Sequence, residues 1–380
     1  MKEILFSRKL VTPNGVISGN LFMADGLIAA IEVSDSPSSQ AHDCTDDFLI
    51  PGLVDIHTDN LEKHYQPRPG AHWDAIGAAL AHDAQCILAG VTTVFDSLSL
   101  HGSKDGLNRQ EAFAPMIEAI DHATEEGLLR SEHLLHLRCE VTNPLLLSLV
   151  EPHLDNPRLK LLSVMDHTPG QRQTAKLDRF KENMIRAGTN DDDFHSMLEE
   201  RTAWRNQEAA PKNRQTIVAL AKEYGIALMS HDDESVEHVE ESHSDGCIAS
   251  EFPVSLIAAQ KAHEYGMLNV MGAPNFVRGS SHSGNLSARE CAELGLLDII
   301  SSDYIPLSML RAAFMLSEAP FNWPMPKAIA TVAGNPARLC GLIDRGEIMV
   351  GQRADLVQVH IAKNGWPVPR AIWRQGLRVA

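Results

Sequence analysis

The sequence predicts an α/β chain built as a (β/α)8 barrel of the TIM type, with a small β unit assembled from both chain ends. Two observations carry this. Short, continuously apolar runs alternate with segments of helical spacing through the middle of the chain, and glycine-punctuated, strand-like stretches sit at both termini. Apolar strands alternating with helices indicate a parallel sheet covered on both sides, and this many units indicates closure.

Residues 1–50 read as short strands with turns at Pro13-Asn14-Gly15, at Ala24-Asp25-Gly26 and in the Ser/Pro-rich stretch 34–40. The tail GEIMVGQRADLVQVH (346–360), followed by VPRAIWRQGLRVA, repeats that style, so the ends read as two parts of one β unit (1–50 and 346–380) around a barrel at 51–345. Candidate barrel strands are 49–57, 90–99, 134–141, 159–167, 225–233, 268–275 and 297–304, with an eighth expected near 150. Helical spacing covers 107–127, 213–223, 253–265 and 325–339, and a polar stretch at 171–212 reads as a solvated helical insertion or a lid.

The chain has 380 residues, 44% hydrophobic and 22% charged, enough for a large core under a polar surface. Its net charge of −17 argues against a nucleic-acid or anionic-membrane surface, so a polyanionic ligand would need local cations or a metal. Six scattered cysteines without a C-x-x-C pair, and an N-terminus lacking a signal-like apolar core, point to the cytoplasm. A homo-oligomer is compatible with all of this.

Metal-capable side chains recur where the candidate strands stop: His57 and Asp59 after the first, then Glu140, His167, His231 and Asp303. In a closed barrel those ends converge on one mouth. The i, i+2 spacing of His57 and Asp59 puts both on one face of a strand, and three histidines with three carboxylates suit one or two divalent ions, Zn, Mn, Fe or Mg. Asp55 reads as an orienting group within its strand, and pairing of Glu140 with Arg138 is the alternative use of that carboxylate. Lys63, His64, Arg68, Arg172, Arg278, Ser281, His282 and Asn285 lie close to these motifs in sequence and are candidate phosphate contacts, with the helical segment from Leu286 onward adding its N-terminal dipole.

The pattern resembles the amidohydrolase superfamily, on PGLVDIHTD, on His167, His231 and Asp303, and on the terminal GEIMVGQRADLV run. That resemblance implies a distorted (β/α)8 barrel with a β-sandwich from both ends. In most members the first motif carries a second histidine where Asp59 stands, and a carboxylated lysine bridges the metals at the place that the resemblance gives to Glu140 here. HTDNLEKHYQPRPG, VMDHTPGQRQ, MSHDD and MGAPNFVRGSSHSGNLSA narrow the resemblance to the diphosphatases of the carbon–phosphorus lyase pathway of phosphonate use. Membership would imply hydrolysis of a small-molecule substrate, alpha-D-ribose 1-methylphosphonate 5-triphosphate, to the 5-phosphate and pyrophosphate. Metal-activated hydroxide would attack the α-phosphorus with Asp303 as catalytic proton acceptor. Two other readings stay open: hydrolysis of a cyclic amide or amine on the same barrel, and a barrel kept as a non-catalytic interaction module.

Overall fold

The computed structural model describes residues 3–104, 107–170, 172, 177–186, 190–205, 209–281 and 284–380. Eight parallel strands form the central sheet: β1 (Leu53–Thr58), β2 (Val91–Ser99), β3 (Glu132–Glu140), β4 (Leu159–Met165), β5 (Ala227–His231), β6 (Ala249–Glu251), β7 (Leu268–Gly272) and β8 (Ile299–Ser301). Each pairs in parallel with the next. A single bridge, Thr58 to Asp303, brings β8 back to β1 and closes the barrel.

Alternation along the strands sorts the core into two shells. Val54, Ile56, Phe95, Leu134, Leu161, Met229, Val270 and Ile299 fill the barrel. Leu98, Leu135, Leu137, Cys139, Leu162 and Val164 face outward, against Phe113, Met116 and Ile217 of the surrounding helices. All six cysteines are buried free thiols.

The eighth strand is not near 150. Leu146–Val150 is a short helix with Leu146 and Val150 buried one turn apart, and it runs into the turn Glu151–His153. The missing strand is β6, whose three residues are too few to show any period.

The run expected as one strand from 49 to 57 is two. Phe48–Pro51 pairs antiparallel with Leu356–Ile361 in a second eight-stranded sheet made from both chain ends, and the barrel starts at Leu53. Gly52 is the crossover: a Cβ there would lie 2.1 Å from Thr92 Oγ1, so only glycine lets the chain pass β2. The 171–212 stretch contains helices Leu177–Arg186 and Asp191–Arg205 before Ala209–Tyr224. Among the described residues, no helix is long and apolar enough to cross a membrane.

Candidate active site

The C-terminal strand ends bring a group of histidines and carboxylates to one mouth. Glu140, at the end of β3, is fully buried; it accepts from His167 Nδ1 at 2.8 Å, His101 Nδ1 at 3.1 Å and Thr142 Oγ1 at 2.7 Å. Burial alone would raise its pKa, but the bonds and charge of His101 and His167 hold it well below the usual carboxylate range. His167 shifts the opposite way: burial opposes its proton, while Asp232 and Glu140 favour it and raise its pKa.

His231, the last residue of β5, donates from Nδ1 to Glu251 Oε2 at 2.6 Å. His57 in β1 donates from Nδ1 to the other oxygen of the same carboxylate, also at 2.6 Å. Glu251 ends β6 and is fully buried, so one carboxylate fixes two imidazoles from opposite sides of the mouth. The two rings lie nearly parallel, their centroids 5.9 Å apart. Burial pushes the His231 pKa well down, so this ring is neutral.

With Nδ1 of His231 donating to Glu251, the lone pair of that neutral ring sits on Nε2, while Glu140 and Asp232 on either side of His167 favour positive charge at that ring. Both Nε2 atoms converge on Asp232 Oδ2, at 3.3 Å and 3.5 Å, and that oxygen receives no hydrogen bond. The His231 lone pair facing a carboxylate oxygen is repulsive unless a cation lies between them, and the carboxylates around His167 favour positive charge, so this donor set fits a divalent ion. Within 4.8 Å, His167, His231 and Asp232 form one set of candidate ligand atoms, and His101, Glu140 and His167 form a second that shares His167.

Asp59 and Asp303 reach the mouth through the backbone. Asp303 N–H donates to the His57 carbonyl at 2.9 Å, and Asp59 N–H donates to the Asp303 carbonyl at 2.9 Å. Asp55, one turn of the pleat earlier, accepts from Ser302 N–H at 3.0 Å, so its carboxylate ties β1 to β8. Asp232 and Phe252, the first residues past β5 and β6, and Asp303, the second past β8, all have left-handed φ near +55° (55°, 54° and 57°). Three non-glycine residues held in this conformation at one rim concentrate backbone strain beside the candidate site.

The expected phosphate contacts divide. Lys63 donates to the Tyr304 carbonyl at 2.7 Å and stands over the Tyr304 ring at 4.8 Å, while Arg278 Nη1 donates to the Tyr304 hydroxyl at 3.3 Å. Two exposed cations therefore gather on the residue next to Asp303. Arg172 has another use: it is buried, donates to the His231 carbonyl and to Asp233 Oδ1, each at 3.1 Å, and so anchors the end of β5. His64 turns toward Gln85, with Nε2 3.1 Å from its Oε1. Arg68 lies exposed in the loop after Asn60–Tyr65, paired by a bridge to Ala71. Ser281 and Asn285 are half-buried in the loop after Ala273–Arg278, and His282 lies outside the described residues. The helix expected from Leu286 onward is Ala288–Glu293, and its first two N–H groups donate to Asn275 Oδ1 and Ser287 Oγ.

Sequence reasoning missed His101, Asp232, Glu251, Arg138 and Tyr304 as members of this mouth. Asp232 was legible in SHDD beside His231. Glu251 stops the apolar run CIAS as the other polar groups stop theirs, but that run is too short to read as a strand.

No family model matches the chain. A curated relative, alpha-D-ribose 1-methylphosphonate 5-triphosphate diphosphatase of Escherichia coli (strain K12), is 43% identical over 378 residues, covering 99% of this chain and 100% of the relative. Among solved structures, N-acetyl-D-glucosamine-6-phosphate deacetylase of Mycobacterium smegmatis has a TM-score of 0.65 at 14% identity, with 100% of each chain covered. The 5-methylcytosine deaminase of Klebsiella pneumoniae has a TM-score of 0.67 at 14% identity, with 100% of this chain and 97% of that one covered. At such identities these two share the fold.

Proposed function

The chain belongs to the alpha-D-ribose 1-methylphosphonate 5-triphosphate diphosphatase family of the amidohydrolase superfamily, and from this we propose that it hydrolyses that triphosphate to the 5-phosphate and pyrophosphate. The full-length similarity to the E. coli diphosphatase carries the reading. The acid and histidine cluster at the barrel mouth supplies the matching chemistry.

His57, Asp59, Glu140, His167, His231 and Asp303 would hold two divalent ions of Zn, Mn, Fe or Mg, with His101 and Asp232 within reach. Such ions, when bound, polarise phosphoryl oxygens and make water more acidic. Glu251 keeps the His57 and His231 rings in the tautomer that turns Nε2 inward. Asp303 accepts the proton of the attacking water from a backbone position fixed by strands on either side. The water oxygen bonds to the α-phosphorus, the bond from that phosphorus to the bridging oxygen breaks, and pyrophosphate leaves with the bonding pair. Lys63 and Arg278, gathered on Tyr304, face the charge that develops on the leaving oxygens. These cations also offset the repulsion between a protein of net charge −17 and a polyanion.

The test is pyrophosphate release from alpha-D-ribose 1-methylphosphonate 5-triphosphate and from ATP, run beside a panel of cyclic amides with the same metal-loaded enzyme. Turnover of triphosphates with pyrophosphate as product supports the reading. Turnover confined to the amides would replace it.

A further inference from the structure

Arg138 is an arginine inside the barrel. It lies on β3 two residues before Glu140, and strand alternation places it on the inward face with Leu134 and His136, one pleat below the mouth. It is only 8% exposed. Nη2 lies 3.3 Å from His231 Nε2, its one hydrogen-bond partner among the described residues, and Nε is buried with no acceptor. Of the carboxylates at the mouth, Glu251 is engaged by His57 and His231 and Glu140 by His101 and His167, while Asp232, 3.3 Å from the same His231 Nε2, belongs to the candidate ion ligands. A guanidinium does not shed its proton, so this cation stays charged at any working pH.

A buried cation with an open donor, next to residues suited to hold more cations, is stable only if an anion comes to it. The atom that now accepts from Arg138, His231 Nε2, is also the atom that faces the candidate ion site, so occupancy there takes the acceptor away. We propose that Arg138 is a phosphoryl-binding residue, its fork of N–H donors receiving non-bridging oxygens of a phosphoric anhydride at the floor of the mouth. This deepens the diphosphatase reading and rests on it. Arg138 contributes what a neutral cyclic amide would have no use for, a fixed donor pair matched to phosphate geometry. Lys63 and Arg278 meet the polyphosphate from the rim; Arg138 meets it from below.

The experiment compares wild-type, Arg138→Met and Arg138→Lys, all metal-loaded, with inorganic pyrophosphate as the binding probe in calorimetry and pyrophosphate release from ATP as the activity. Arg138→Met is expected to retain the metal content of the wild-type by elemental analysis. It should lose at least about tenfold in pyrophosphate affinity and about 100-fold in kcat. Arg138→Lys, which keeps the charge but not the fork, should recover part of the affinity and less of the rate. Wild-type pyrophosphate affinity in either folded variant overturns the assignment, as does a wild-type protein that does not bind pyrophosphate. If Arg138→Met does not fold, Arg138→Lys alone decides, and a loss of affinity at unchanged metal content supports the assignment. A wild-type protein that binds pyrophosphate through Arg138 but releases none from triphosphates removes the proposed reaction and leaves this residue's role standing.

Discussion

Between the barrel wall and the helix Ala75–Leu88 lies a buried charged chain whose removal has a calculable cost. His133 on β3 donates from Nδ1 to Asp96 Oδ2 at 2.9 Å, and its Nε2 lies 3.4 Å from Asp83 Oδ1. Asp96 Oδ1 also lies 2.9 Å from His82 Nε2. Asn60 Nδ2 can only donate to His82 Nδ1, at 3.1 Å, so His82 carries its proton on Nε2 and turns it toward Asp96. Burial alone would lower the His133 pKa, but the Asp96 charge and the bonds to both aspartates push it up to about 9, while Asp96 is held down to about 2. The imidazolium is thus the native form. A rise from 6.5 to about 9 corresponds to roughly 3 kcal/mol of stability. Because the folded pKa is the higher one, that stability is fully present below pH 6.5 and is lost as pH rises through about 9. Asp96→Asn leaves the imidazolium with Asp83 alone and should cost about 3 kcal/mol at pH 7, at the lower end for a broken buried pair. Urea unfolding at pH 7, 8 and 9, at fixed metal content, reads both effects: the wild-type should weaken by about 1 kcal/mol per pH unit above 7, and the variant by less. An Asp96→Asn protein as stable as wild-type at pH 7, or a wild-type whose stability is flat from 7 to 9, would refute the imidazolium assignment.

Three further outcomes follow from the mouth. Asp303→Asn should keep the fold and at least part of the metal yet lose about 100-fold or more in kcat, checked by pyrophosphate release and elemental analysis. Glu251→Gln can accept from one imidazole but presents an amide to the other, so metal affinity should fall about 10- to 100-fold in competition with a chelator. Gly272→Ala places a methyl 3.3 Å from Asp303 Oδ2, so kcat should fall about tenfold while the melting temperature moves little; a parallel loss of both would assign the effect to packing instead.

The sequence made the fold and the mouth legible wherever a strand was long enough to show its character. β2 and β3, nine residues each, read clearly, and the place of Glu140 at the mouth was legible because it ends such a run. β6 has three residues, so neither it nor Glu251 could be read, although that carboxylate orients two of the six expected ligands. The partners of Arg172 were hidden for a different reason: a charge near a motif in sequence says nothing of its partner, and Arg172 pairs with Asp233 sixty-one residues on. Arg138 was weighed only as a partner for Glu140. Strand period places the two on one face, but its reach to His231, ninety-three residues on, depends on how the barrel closes.

Closure of the barrel and placement of the reacting groups depend on the same few bonds. β8 meets β1 by one bridge rather than a ladder, and what strengthens the seam is Asp55 accepting from Ser302 and Asp303 exchanging backbone bonds with His57 and Asp59. A left-handed aspartate costs on the order of 1 kcal/mol or more, and those bonds are what hold Asp303 there. The strain turns the chain so that Asp303 faces the Gly272 side of the mouth while Tyr304 gathers Lys63 and Arg278 on the next position. Any change that loosens the seam would therefore shift the proton acceptor, the strand-one pair and the rim cations together. Gradual loss of activity ahead of global unfolding is what such a seam would produce, with the β1–β8 amides exchanging hydrogen before those of β2 and β3.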